Sequence, residues 1–321
     1  MRVFITGAAG FIGSHVLEVF AKHHEVLGID NFDSFYSRTL KLGNLQETAL
    51  QDRVREGDLL DTPFVEQIFI DFQPELVIHL AARAGVRPSI QEPASYMRHN
   101  VEATTGLYSL CQRYGVNAVV LASSSSVYGS RNSVPFREDE PVIYPQSPYA
   151  ASKIACELVA GTFARLYGIR SAILRFFTVY GPRQRPDLAI ASFTQKIFDG
   201  QPISIFGDGS TERDFTYIDD VIDGVQKAAQ WVVNQQKGHY DTFNLGENSR
   251  ISLAHMIELL EAAIGTPAKR VYLEAQLGEI PKTCADISKA KRILGYQPRV
   301  NLDEGLKKYV EWFQKRRGET K

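Results

Sequence analysis

The chain has 321 residues, of which 44% are hydrophobic and 23% charged, with a net charge of −1. That length can bury one large core or two smaller ones, and the balanced charge excludes both a nucleic-acid surface built on bulk basicity and an acidic disordered chain. No apolar run approaches membrane-spanning length. Cys111, Cys156 and Cys284 lie far apart, without CxxC spacing or nearby histidines, so structural thiols in a reduced cytoplasmic protein and no metal site are expected.

Met1 leads almost directly into "VFIT" (3–6), which reads as a strand, so no signal peptide is expected. Further short apolar runs follow: "EVLGID" (25–30), "LVIHLAA" (76–82), "AVVLAS" (118–123) and "SAILRF" (171–176). Near-continuous runs suit strands buried on both faces, and the longer amphipathic segments between them imply right-handed βαβ crossovers. The expected fold is α/β, a doubly wound parallel sheet. Beyond residue 177 the regularity loosens. Loops such as "IFGDGSTERDF" (205–215) alternate with helical segments near 219–233, 252–264 and 302–316, as in a smaller α/β domain over the carboxyl ends of the strands. Part of 214–246 is expected to return to the large sheet.

The first strand is followed by "GAAGFIG", with Gly7, Gly10 and Gly13 opening a helix. Glycines let such a turn close tightly and let the backbone approach a pyrophosphate at the helix N-terminus. This predicts a dinucleotide site. Asp30 ends the second run 17 residues after Gly13, where a carboxylate would accept hydrogen bonds from ribose hydroxyls and repel a 2′-phosphate. NAD is therefore expected rather than NADP, although the same side chain could cap its own loop.

"SPYAASK" places Tyr149 and Lys153 one turn apart on a helix. A phenol is a poor base at neutral pH unless a neighbouring cation stabilises its phenolate, and the lysine ammonium is such a cation. Upstream, "ASSSSVYG" ends a strand with hydroxyls able to face the cofactor. The stretch "FFTVYGPRQRPD" (176–187) carries Pro182 and Pro186, which fix φ and remove donors, and so reads as a stiff turn rather than a strand or helix. Arg183 and Arg185 ride on it. Either could hold an anion, face solvent or pair with Asp187.

Taken together, "TGAAGFIG", "HLAA", "SSSSVYG", "YAASK" and "RDFTYIDDV" resemble the extended short-chain dehydrogenase/reductases that act on nucleotide sugars. The resemblance covers essentially the whole chain. It implies a Rossmann-type NAD-binding domain over 1–177, a UDP-sugar-binding domain over 178–321, and a homodimer formed by the helices containing 93–114 and 146–168. It further implies Tyr149 as base, Lys153 as its electrostatic partner and Ser124 at the sugar O4. Implied cofactor contacts come from Gly7, Gly10, Phe11, Ile12, Gly13, Asp30, Asn31, Asp58, Leu59, Leu80, Ala81, Ala82, Asn100, Ser123, Tyr149, Lys153 and Phe176. Dehydratases of similar pattern carry an Asp-Glu pair after the catalytic hydroxyl, and decarboxylases carry Glu before "VYG". Ser125 and Ser126 stand there instead, which favours epimerisation without elimination. "RFFTVYGPRQRPD" is close to the stretch in UDP-glucuronate 4-epimerases, and implies that Thr178 and Arg185, with Ser125 and Ser126, bind the C6 carboxylate. UDP-galactose-type epimerases usually have Asn at the position of Thr178 and lack the Arg-Pro-Asp. Arg213, Phe206, Glu279 and Arg87 are the remaining implied substrate contacts, while Gln276 departs from the usual second phosphate-binding arginine.

Overall fold

The structure, a computed structural model, describes residues 1–130, 134–274 and 280–319. Its strands are β1 (Arg2–Thr6), β2 (Glu25–Asp30), β3 (Val54–Glu56), β4 (Leu76–His79), β5 (Ala118–Ser124), β6 (Arg170–Phe176), β7 (Thr178–Tyr180), β8 (Ile203–Phe206), β9 (Glu212–Arg213), β10 (Phe215–Tyr217), β11 (Tyr240–Leu245), β12 (Ile251–Ser252) and β13 (Arg270–Leu273). Seven of these form one parallel sheet in the order β11-β6-β5-β4-β1-β2-β3. All five apolar runs contribute to it, "LVIHLAA" through Leu76–His79 alone. The sheet gains two edge strands that those runs did not include, β3 and β11.

The burial pattern explains the sheet. Side chains alternate across a strand, so Val3, Ile5, Val120 and Leu174 enter one apolar cluster while Phe4, Val119, Leu121 and Ile173 enter the other. Helices Phe11–Ala21 and Ile218–Val233 cover the first face; Thr62–Phe72, Ala103–Arg113 and Pro148–Tyr167 cover the second. Each fully buried aliphatic side chain contributes roughly 1.5–3 kcal/mol through removal from water.

In the second half, the expected loop 205–215 is partly strand. β8 pairs with β13, β9 with β12, and β10 with β7, each as a two-stranded unit. The pairing of Thr178–Tyr180 with Phe215–Tyr217 also corrects the reading of 176–187 as turn throughout: its first residues are strand, and the reversal begins at Gly181, whose φ is +140°. A Cβ there would lie 2.5 Å from Ile218 Cγ2, so the approach requires glycine. Among the described residues no helix is long and apolar enough to cross a membrane.

Candidate active site

Strand order reverses between β1 and β4, and a cleft of about 250 Å³ opens at their carboxyl ends. Its floor is the β1–helix turn. Gly7 has φ +71°, and a Cβ on it would sit 2.9 Å from Ala81 Cα; a Cβ on Gly13 would sit 1.9 Å from the Gly7 carbonyl oxygen. The glycines thus bring the loop against "HLAA" and the helix against the loop.

Thr6 ties these motifs together. Its Oγ1 accepts from the Leu80 and Ala81 amides at 3.2 and 3.1 Å and lies 2.7 Å from His79 Nδ1. The Thr104 hydroxyl donates to the Asn100 carbonyl at 2.5 Å, so His79 Nε2, 2.9 Å away, is the donor of that pair and Nδ1 accepts from Thr6. Burial, with the Lys153 ammonium adding to it, lowers the His79 pKa to about 3, so the ring stays neutral.

The cleft is lined by Gly7, Gly10, Phe11, Ile12 and Gly13 from the turn, by Asp30 and Asn31 after β2, by Asp58 and Leu59, and by Leu80, Ala81 and Ala82. Ser123, Phe176, Tyr149 and Lys153 close its far side. Asp30 combines both roles considered for it: the carboxylate caps its loop through the Ala9 and Phe32 amides at 3.1 and 2.8 Å while facing the cleft. The Lys41 ammonium lies 3.4 Å from it, both side chains being buried. Asn31 donates to Asp58 at 2.9 Å. Asn100 stands behind the cleft wall: its amide clasps the Arg83 N–H and carbonyl at 2.7 and 3.0 Å and donates to Ser152 at 2.9 Å. It lies in the π-helical turn Met97–Glu102.

The lining residues that were not among the expected contacts include Phe35, Tyr36, Lys41 and Arg83. Tyr36 offers a buried hydroxyl with no hydrogen-bond partner among the described residues, and burial followed by the Asp30 charge raises its pKa well above the ordinary value. An orphaned donor beside a glycine cradle that no Cβ could share fits a bound dinucleotide diphosphate.

Tyr149 and Lys153 sit in the first turns of Pro148–Tyr167, whose start is fixed by Pro148 and by the Ser147 side chain accepting from the Ala150 amide at 3.1 Å. Tyr149 packs edge-on against Tyr96, with ring centroids 6.2 Å apart. Lys153 is buried and donates to the Ala122 carbonyl at 2.9 Å. Glu157, one turn further, receives the Ser123 hydroxyl at 2.5 Å and pairs with Arg175 at 2.9 and 2.7 Å. The helix is thereby braced to β5 and β6. The Ser123 side chain thus faces the brace.

Ser124 caps the turn Ser125–Tyr128, accepting from the Ser126 amide at 3.2 Å and donating to the Ser126 hydroxyl at 3.2 Å. Arg185 reaches the cleft lining; Arg183 does not, being buried between Glu18 and Glu47 at 2.8 and 3.1 Å. Thr178 lies on β7, and its amide donates to the Asp214 carbonyl at 3.0 Å. Arg87 covers the Phe206 ring at 4.9 Å, and Arg213 donates to the Glu212 carbonyl at 2.9 Å. Thr178, Arg87, Phe206, Arg213 and Ser124 to Ser126 are outside the cleft lining itself. Glu279 and Gln276 lie outside the described residues. No group of three or more metal-binding side chains occurs among the described residues.

A glycine cradle at a strand-order reversal, faced by a tyrosine and a lysine one helical turn apart, defines a dinucleotide-dependent enzyme of the reductase type. The chain belongs to the NAD dependent epimerase/dehydratase family, whose model matches residues 3–246, and NAD is its cofactor. A UDP-glucuronate 4-epimerase of Thermodesulfobacterium geofontis is 42% identical over 312 residues, covering 96% of this chain and 94% of that protein. Among solved structures, a Bacillus cereus UDP-glucuronic acid 4-epimerase in complex with UDP-glucuronic acid and NAD superposes with TM-score 0.88 at 35% identity, covering 98% of this chain and 99% of that one. A Thermotoga maritima UDP-glucose 4-epimerase with UDP-glucose has TM-score 0.89 at 33% identity, over the same 98% and 99%.

Proposed function

We propose that the protein interconverts UDP-glucuronate and UDP-galacturonate by NAD-dependent epimerisation at C4. One observation supports the choice of sugar: Arg185 lines the same cleft as Tyr149, and a guanidinium there suits a sugar that carries a carboxylate at C6. The Gly7–Gly13 turn would hold the diphosphate of NAD, Asp30 the adenosine ribose and Lys153 the nicotinamide ribose. Bound there, NAD supplies a hydride acceptor that later returns the hydride.

Tyr149 as phenolate takes the C4 hydroxyl proton, Lys153 stabilises that phenolate, and Ser124 hydrogen-bonds the sugar O4. Arg185, Thr178, Ser125 and Ser126 hold the carboxylate. Arg213, Arg87 and Phe206, with Glu279, keep the UDP in place while the 4-keto sugar turns its other face, and Tyr149 then returns the proton to O4. Ser125 and Ser126 supply no titrating side chain, so elimination lacks its acid and base. Residues 1–177 thus serve the cofactor and most of 178–321 the sugar nucleotide, apart from β11 and the helix before it. A homodimer fits the exposed Leu158 and Leu166 on one helix face and Met97 on the neighbouring helix. Free thiols at all three cysteines fit a reducing cytoplasm.

A second reading, a neutral UDP-sugar such as UDP-glucose or UDP-N-acetylglucosamine, is favoured by Asp187, which already neutralises Arg185. Incubating the purified protein with UDP-glucuronate, without added reductant, and following products by proton NMR decides between them. UDP-galacturonate accumulating to an equilibrium mixture is the expected result. No reaction, with turnover of UDP-glucose, would move the assignment to the neutral sugar.

A further inference from the structure

A guanidinium offers a carboxylate two paired-donor edges, Nε with Nη2 and Nη1 with Nη2. In Arg185 the first edge is taken. Nε donates to Asp187 Oδ1 at 2.9 Å and Nη2 to Oδ2 at 2.7 Å. A face of the group lies over the Phe35 ring, with the guanidinium carbon 5.1 Å from its centroid. Among the described residues nothing accepts from Nη1, so the Nη1–Nη2 end is the grip that remains. The side chain is only 18% exposed and forms part of the cleft wall.

The turn beneath it is rigidly founded. Arg183 is buried in its two ion pairs, and Gln184 donates to the Val179 carbonyl at 3.2 Å. The Leu188 amide donates to the Arg185 carbonyl at 3.2 Å. The backbone is thus fixed, and what orients the long Arg185 side chain is Asp187 on one edge and Phe35 on one face.

We propose that Asp187 is a positioning residue for specificity: it locks Arg185 so that the free end meets a substrate carboxylate in one orientation. The proposal rests on the assignment of a hexuronate substrate above. Because Asp187 and Arg185 sum to no net charge, the pair recognises the carboxylate by geometry rather than by bulk attraction. The orientation matters chemically. Oxidation at C4 makes a β-keto acid, whose C5–carboxylate bond breaks when aligned with the carbonyl π system. Its electron pair passes into a C4–C5 enolate, carbon dioxide leaves, and C5 takes up the proton that Tyr149 removed. The resulting 4-keto pentose then departs, leaving the cofactor reduced. A firmly held carboxylate stays out of that alignment.

The test is Asp187→Asn and Asp187→Glu, assayed with UDP-glucuronate for UDP-galacturonate, for 4-keto pentose and for build-up of reduced nicotinamide absorbance. Asparagine keeps the size and loses the charge; glutamate keeps the charge and moves it. Misplacing a positioning group by about 1 Å costs up to roughly 100-fold. Both variants are therefore expected to raise the ratio of pentose to epimer by about tenfold or more, with NAD content and melting temperature near wild type. An unchanged ratio in either soluble variant overturns the role of Asp187. If Asp187→Asn does not fold, Asp187→Glu alone decides. A wild type that never epimerises UDP-glucuronate would instead sink the substrate assignment, and this inference with it, through a visibly different result.

Discussion

Glu157→Gln tests the brace behind the helix that carries Tyr149 and Lys153. Glu157 and Arg175 have side chains only 9% and 4% exposed, and the mutation keeps the volume while leaving the guanidinium charge without its partner. Breaking a buried pair in this way costs about 3–5 kcal/mol, mostly for the stranded charge, and the retained amide oxygen puts this case near the low end. The entropy of unfolding for 321 residues is about 0.7 kcal/mol/K. The melting temperature should therefore fall by roughly 4–5 °C, measured calorimetrically with saturating NAD. The double variant Glu157→Gln/Arg175→Met removes the stranded charge and should recover most of the loss. Turnover should fall as well, because Ser123, the Tyr149–Lys153 helix and β6 meet at this carboxylate. A single variant that melts within about 1 °C of wild type, or a double variant no better than the single, would refute the reasoning.

Gly13→Ala drives a methyl into the Gly7 carbonyl, 1.9 Å from where it would stand. The purified variant should contain little NAD and regain activity only at high added cofactor; full NAD content would contradict the cradle. Arg185→Ala should release a 4-keto pentose from UDP-glucuronate, and clean epimerisation by that variant would rule out the proposed carboxylate role of the arginine. His15, whose Nε2 lies 2.9 Å from the Pro182 carbonyl, has its pKa lowered to about 4 by burial and then by Arg183. The folded state holds this ring neutral while the unfolded chain protonates it below its ordinary value of 6.5. Its contribution is complete above that pH and is lost as pH falls towards 4, at about 1.4 kcal/mol per unit. Urea denaturation of His15→Gln across this window should show a shallower acid slope than wild type; parallel slopes would exclude the linkage.

The sheet was readable where burial dictates composition. β1, β2, β4, β5 and β6 are apolar runs because both their faces are covered. β3 is partly or fully exposed along its length, so "VRE" carries no apolar signal, and only its pairing with β2 reveals it. β7 was hidden by the prolines after it, since a three-residue strand has no periodicity of its own and its partner comes from residues 215–217. The glycine cradle and the Tyr149–Lys153 pair were legible because backbone approach and helical spacing are local properties. Phe35, Tyr36, Lys41 and Arg83 were not, for they reach the cleft from loops and, for Lys41, from the helix Arg38–Thr48, all of ordinary composition.

The two arginines mark the same boundary between local and tertiary information. Spacing alone gives Arg183 and Arg185 equal claims on an anion. The structure separates them at Arg183, whose φ of +63° is a conformation costing an L-residue roughly 1–2 kcal/mol. That cost is offset only because the side chain is thereby delivered to Glu18 and Glu47, on the two helices that flank the cofactor loop. Glu47 in turn binds Arg316 at 3.0 Å and Trp312 Nε1 at 3.1 Å on the C-terminal helix. The anions that Arg183 holds therefore belong to the protein, and they root the turn in both halves of the chain. From the turn so rooted, Arg185, two residues later, reaches the cleft lining with one edge of its guanidinium already taken. The same sequence motif thus supplies a buried anchor and a cleft-lining guanidinium, and what distinguishes them is which carboxylates the fold brings within reach.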